Sequence, residues 1–282
     1  MLRLCSLLLF GSLLSAQPPK LRVLAIGAHP DDCDIKFAGT AAKLVRAGHH
    51  VKFLSVTNGD AGHQSDRGPS LAKRRYAETQ ESARRLGIAE YEVLDNHDGE
   101  LLPTLEVRKQ IIRAIRRWNA DIVIAPRPND YHPDHRYTGT LVEDAAYMVV
   151  VPNVTPEVPA LRRNPIFLYF EDGFQKPYPF QPDVVVSIDD VWDTKVAALD
   201  AHTSQVYEWL PWVDGRLADV PADAAARRAW LSKTRTPRIS DAVVAALAKR
   251  YPGQAIRHAE AFELCEYGRR PSMAELQEMF PK

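Results

Sequence analysis

Short apolar runs alternate with stretches of helical spacing through the first half of the chain. Arg22–Ala28 (RVLAIGA), Val51–Thr57 (VKFLSVT), Tyr91–Asp95 and Asp121–Pro126 (DIVIAP) read as strands. Between them, Phe37, Ala41, Leu44 and Val45 give Lys36–Ala47 a helical period that stops at Gly48. Leu71–Leu86 is a second helix, ended by Gly87, and Leu105–Trp118 is a third. A glycine just past a periodic run is a common helix stop, because it takes the left-handed conformation without penalty. Strands that are apolar at every position are buried on both faces, which calls for a parallel sheet with helices packed on each side. Right-handed crossovers turn such a chain into a doubly wound α/β fold, a Rossmann-like three-layer sandwich with a mostly parallel central sheet.

Beyond Pro126 the pattern loosens. Val151–Pro165 holds four prolines and no period, so it reads as a loop. Ile166–Phe170, Val184–Ile188 and Ala259–Tyr267 read as later strands, Asp190–Val206 as a helix capped by Asp189 or Asp190, and Val220–Tyr251 as alanine-rich helix. No internal repeat or clean linker divides the chain, so residues 17–282 are expected to form one domain with a C-terminal helical elaboration. Met1–Ala16 differs: Arg3, the apolar run Leu4–Leu14 and small Ser15-Ala16 have the form of a secretory signal. That run is shorter than the roughly 20 residues a membrane span needs. Export to the periplasm or the extracellular space is therefore expected, with no integral span in the rest.

Of the 282 residues 45% are hydrophobic, which is the balance of a folded globular protein. Lysine plus arginine and aspartate plus glutamate each total 36, so no basic excess points to nucleic acid. Cys5, Cys33 and Cys265 are too few and too scattered for a disulfide scaffold or a four-cysteine zinc site.

Two clusters carry chemistry. The first, His29-Pro30-Asp31-Asp32, directly follows the first strand. A dinucleotide-binding sheet would place a glycine-rich turn there. Two carboxylates instead repel a phosphate and suit a divalent cation. The second cluster, Asp130-Tyr131-His132-Pro133-Asp134-His135, follows the fourth strand. In open α/β sheets ligands bind beyond the carboxyl ends of the strands, where strand order reverses, and loops after the first and fourth strands can meet there. His29, Asp32 and His135 then form a two-histidine, one-carboxylate set that suits catalytic zinc and leaves a position for water. Ferrous iron or another divalent metal accepts the same donors.

The paired strings resemble the PIG-L/LmbE-like family of metal-dependent N-deacetylases. Arg75 and Glu78 before Leu86-Gly87 resemble that family's helix after the second strand, and Lys195, Ala198-Leu199, His202 and Ser204-Gln205 resemble a later one. Cys33 stands where the family's first motif usually continues with glutamate. The resemblance implies an LmbE-like fold and an enzyme that removes acetyl from an N-acetylated amino sugar or glycoconjugate. It implies that His29, Asp32 and His135 hold the metal, and that Asp31 is the general base for metal-activated water. His132 would stabilise the oxyanion, and Asp134 would orient His132 or keep it protonated. The chemistry is consistent: an amide is a poor electrophile and water a poor nucleophile, so both need activation.

Arg75, Tyr131, His202 and Gln205 are candidate substrate contacts; each equally suits packing or a helix-face ion pair. Tyr207, Trp209 and Trp212 suit a sugar face or the core, and Gly59–His63 a rim over the crevice. Cys33 fits a buried hydrophobe better than a nucleophile. Two other readings stay open: a hydrolase of another N-acyl amine or amide, and a non-catalytic metal- or sugar-binding module.

Overall fold

The computed structural model describes residues 20–234 and 239–282. The expected export signal, residues 1–16, lies outside the described residues. A seven-stranded sheet has the order β3-β2-β1-β4-β5-β7-β6. Its strands are β1 (Arg22–Gly27), β2 (His50–Thr57), β3 (Glu90–Asn96), β4 (Ile122–Ala125), β5 (Ile166–Phe170), β6 (Val184–Ser187) and β7 (Ala259–Leu264). The first five are parallel, in register pairs such as Ala25 with Phe53 and with Ile124. Only β7 runs antiparallel, wedged between β5 and β6.

Helices α1 (Asp32–Arg46), α2 (Gly68–Leu86), α3 (Leu105–Trp118) and α4 (Pro133–Met148) connect the parallel strands. Short helices α5 (Trp192–Leu199), α6 (Leu210–Val213), α7 (Ala224–Thr234), α8 (Asp241–Arg250) and α9 (Met273–Glu278) follow. Side chains of a strand alternate between faces. Val23 and Ala25 therefore join Phe37, Leu44, Leu86 and Val196 in one core, while Leu24 and Ile26 join Ile111, Ile115, Leu141 and Ala145 in the other. Burying each such Leu or Ile contributes about 1.5–3 kcal/mol. Cys33 and Cys265 are free and belong to cores on opposite faces.

All seven strands stand where the apolar runs place them, the last ending at Leu264 rather than Tyr267. Helices differ more. α1 starts at Asp32, four residues before its apolar period, because its first turn is polar and serves the site. α4 went unread in the loose stretch after Pro126. His132 is its N-cap, with Nδ1 accepting the Asp134 N–H, and Pro133 opens its first turn. The expected helix 190–206 breaks after Leu199 and resumes as a π turn, Gln205–Trp209. The expected helix 220–251 is two helices, α7 and α8, with 235–238 outside the described residues.

The proline-bearing excursion after α4 is anchored by one buried side chain. Arg116 of α3 donates to the carbonyls of Met148 (2.9 Å), Val149 (3.0 Å), Val151 (2.7 Å), Thr155 (3.0 Å) and Val158 (3.0 Å). Arg116→Met removes five charge-assisted hydrogen bonds; the carbonyls of Met148, Val149, Val151 and Thr155 keep a backbone donor, and that of Val158 loses its partner. The expected loss is about 3 kcal/mol of unfolding free energy, read as a lower midpoint in urea.

Candidate active site

The strand order puts β1 beside β4, so the loops leaving their carboxyl ends share one crevice. Gly27 lets α1 start close against β1, since a Cβ there would lie 2.6 Å from the Asp32 Cβ. Asp32 Oδ2 then accepts the N–H groups of Ala28 and His29, both at 2.8 Å. Its Oδ1 lies 3.5 Å from His135 Nε2, while Oδ2 lies 3.5 Å from His29 Nδ1. The facing nitrogens, His29 Nδ1 and His135 Nε2, are 3.1 Å apart although 106 residues separate them. His29, Asp32 and His135 thus come together.

The far nitrogen of each ring faces another carboxylate. His29 Nε2 lies 3.1 Å from Asp98 Oδ1 and 3.3 Å from Asp134 Oδ2, and His135 Nδ1 lies 3.0 Å from Asp130 Oδ1. Burial works against charge on His135, but Asp32 and Asp130 push it up to about 9. Burial likewise opposes charge on His29, yet Asp134, Asp32 and Asp98 raise it well above the ordinary histidine value. Burial would raise the Asp32 carboxyl; His135 and His29 instead hold it well below the usual carboxylate range. The electrostatics of this point favour positive charge, whether carried by protons or by a metal ion. Among the described residues, His29 with His132 and His135, and His29 with Asp98 and Asp134, are groups that can hold a metal.

Asp31 and Asp32 point apart. Asp31 turns to α2, where Arg75 Nη2 donates to its Oδ1 at 3.1 Å. Burial raises the Asp31 carboxyl, with Arg75 opposing and Asp32 adding to the rise. Arg75 is itself buried, its Nη1 donating to the Gly59 carbonyl at 3.2 Å and lying 3.4 Å from Asp98. Gly59 has φ +72° and a Cβ there would meet Arg75 at 2.6 Å, so glycine is needed on both counts. Asp31, Asp32, Arg75, Tyr131, His132 and Gln205 all line a cavity of about 620 Å³ with His29 and His135. Tyr131 is exposed at its rim; Trp209 lines it too, and Trp212 stacks on Trp209 with centroids 5.4 Å apart.

Two expectations need correcting, the role of Asp134 and the place of His202. Asp134 neither orients His132 with its carboxylate nor holds it protonated. The carboxylate is buried against His29 and accepts the N–H groups of Gly99 (2.7 Å) and Leu101 (3.3 Å). His132 Nδ1 is occupied as an acceptor by a backbone N–H, and burial, helped by His29 and His135, lowers its affinity for a proton. A neutral His132 therefore carries its hydrogen on Nε2. His202 is fully buried against Asp34 at 3.0 Å and does not line the cavity. Cys33 is buried and its thiol is raised by burial, which excludes it as a nucleophile. Tyr207 is core, its hydroxyl donating to Asp200 at 2.7 Å.

Asp98 went unread, since a lone acid after β3 carries no motif; His97-Asp98-Gly99 at a strand's carboxyl end was its only signal. Asp130 stood in the quoted cluster without a role. Glu78 proves to be a brace: it accepts Ser204 N–H (2.8 Å) and the hydroxyls of Thr203 and Ser204, docking the segment that carries Gln205.

A family model described as PIG-L: GlcNAc-PI de-N-acetylase matches residues 24–146, the span from β1 into α4 that contains both clusters. The chain is 37% identical over 198 residues to the diacetylchitobiose deacetylase of Thermococcus kodakarensis, a match covering 68% of this chain and 73% of that protein. It is 28% identical over 200 residues to the probable N-acetyl-alpha-D-glucosaminyl L-malate deacetylase 2 of Bacillus cereus, covering 67% and 85%. The N,N'-diacetylchitobiose deacetylase of Pyrococcus horikoshii, solved with its inhibitor MPG, is similar in structure with a TM-score of 0.65 and 28% identity, over 86% of this chain and 83% of that one.

Proposed function

The chain belongs to the PIG-L (GlcNAc-PI de-N-acetylase) family, and on that premise we propose that it is a metal-dependent N-deacetylase of N-acetylated amino sugars or glycoconjugates. Water cleaves the amide to acetate and a free amine. The observation that carries the reading is the convergence of His29 Nδ1, His135 Nε2 and Asp32 Oδ1 at the carboxyl ends of β1 and β4.

His29, Asp32 and His135 would hold the ion, and zinc fits two imidazoles and a carboxylate. The donor chemistry fits, because each ring's other nitrogen faces a carboxylate, the usual arrangement around a metal-ligating histidine. Asp98 and Asp134 are less suited to a direct role. Asp134 already accepts two backbone N–H groups and Asp98 lies against Arg75. Asp98→Asn is therefore expected to weaken metal affinity by about 10–100-fold rather than abolish binding. Titration of the apo protein with zinc reads this, and complete loss of the metal would make Asp98 a ligand.

When bound, a divalent ion supplies Lewis-acid polarisation of a carbonyl and a nucleophile at neutral pH. Asp31 accepts the proton from the attacking water; Arg75 fixes its Oδ1, and burial raises its basicity. His132 presents an Nε2–H donor to the cavity, where negative charge builds on the amide oxygen. Gln205, tied to the Gly62 carbonyl at 3.1 Å, and the Tyr131 ring are placed to bound the sugar. We further propose export, on the amino-terminal pattern; among the described residues no helix is long and apolar enough to cross a membrane. Acetate release from N-acetylchitooligosaccharides, with and without chelator, tests the activity; binding without release would instead favour a sugar-binding module.

A further inference from the structure

We infer that Glu208 is a positioning residue: it clamps the rim loop after β2 to the π turn, and so fixes the cavity wall against which the amino sugar lies. The inference rests on the deacetylase reading above.

Two distant segments supply that wall. Ala61 and Gly62 come from the loop between β2 and α2, and Gln205 and Trp209 from the π turn. Side-chain hydrogen bonds join them. Gln205 Nε2 donates to the Gly62 carbonyl at 3.1 Å. One residue further along the loop, His63 Nε2 lies 2.9 Å from Glu208 Oε2, although 145 residues separate the two.

The other nitrogen of His63 settles the direction of that bond. Nδ1 accepts the N–H groups of Ser65 (3.2 Å) and Asp66 (2.9 Å), so the ring hydrogen sits on Nε2 and is donated to Glu208. The imidazole is 3% exposed, which shields the bond from water. Arg74 of α2 completes the clamp. It donates to Glu208 from Nη1 (2.9 Å) and Nη2 (2.5 Å), and its Nε lies 3.4 Å from Glu78 Oε1. A carboxylate held by both arms of a guanidinium has little freedom to turn. Glu208 therefore presents a fixed acceptor to the rim loop.

The clamp stands directly behind the cavity surface. His63 follows Gly62 and Glu208 precedes Trp209, so a shift at the clamp passes to wall residues through one peptide bond. Gly62 also lies close over the site, since a Cβ there would be 2.8 Å from Arg75 Nη1 and 3.0 Å from Asp98 Oδ2. A π turn is rare, and single π turns are frequent at functional sites. The reacting groups have braces of their own, Arg75 on Asp31 and the Asp134 N–H on His132. Releasing the clamp thus weakens the hold on the sugar before and during reaction alike, which raises KM and spares kcat.

The test is steady-state kinetics of the full-length, zinc-loaded protein on N,N'-diacetylchitobiose, with zinc content and thermal midpoint measured beside it. Glu208→Ala is expected to raise KM about tenfold, the worth of one hydrogen bond to a charged group, with zinc content unchanged. Glu208→Gln still accepts the His63 Nε2–H and should stay within about threefold of the wild-type KM. His63→Ala should raise KM as well, and Glu208→Ala should add nothing in that background, because the two residues make one link. Should Glu208→Ala not fold, Glu208→Asp withdraws the carboxylate from His63 by one methylene and is expected to raise KM in the same direction. An unchanged KM in the folded variant, whatever its thermal midpoint, overturns the inference and leaves Glu208 a structural tie. Equal effects of Glu208→Ala with and without His63 overturn it too, as does a loss confined to kcat. These outcomes require an active wild type and sink this inference alone; a wild type that cleaves no N-acetylated sugar sinks the deacetylase reading with it.

Discussion

Alanine at His135 is expected to strip the bound metal and to lower kcat/KM on an N-acetylated sugar by about three orders of magnitude or more. The imidazole faces His29 Nδ1 across 3.1 Å and is aimed by Asp130 at 3.0 Å, an orientation that alanine removes. The backbone is not expected to suffer. His135 lies in the first turn of α4, and the cap of that helix is made by His132, not by His135. Elemental analysis of purified protein beside circular dichroism separates loss of ion from loss of fold. Full metal occupancy in His135→Ala would overturn the ligand set and turn attention to His29, Asp98 and Asp134, the other group around the shared ring.

Asp31→Asn should do the opposite: keep the ion and lose the chemistry. A positioned general base contributes about 10²–10⁴-fold, so kcat should fall by that range with metal content unchanged. Asparagine retains an oxygen for Arg75, whose Nη2 donates to Asp31 Oδ1 at 3.1 Å, so the surrounding brace survives. The pH profile adds an independent readout. Burial raises the Asp31 carboxyl above the ordinary aspartate value, and only its ionised form takes a proton. Activity is therefore present above that raised pKa and is lost as pH falls through it. The acid limb of the wild type should lie above the usual aspartate range, and the residual activity of Asp31→Asn should lack that limb. A wild-type rate in this variant would remove Asp31 from the mechanism.

How much was legible is clearest in particular residues. Val51–Thr57 and Asp121–Pro126 announce strands because a residue buried on either face must be apolar, and that demand is local. The first turn of α1 and the whole of α4 were harder. Their early positions are spent on Asp32, His132, Asp134 and His135, which serve the site and erase the period that marks a helix. His202 has the same residue type as the metal-site histidines, yet it ends up sealed against Asp34. Nothing within a few residues of it distinguishes the two fates.

The chain's own pattern settled the sheet type and the two loops that bear the chemistry. Hydrophobic period and turn residues act over short stretches, and a His-Pro-Asp string behind an apolar run is visible at that range. Folding alone decided the partnerships: Asp98 and Asp134 behind His29, Asp130 behind His135, Arg75 over Asp31. Most of these pairs join residues from 44 to 105 apart, brought together by the order of strands β3, β2, β1 and β4. That order reflects the packing of whole layers, a property no short segment carries.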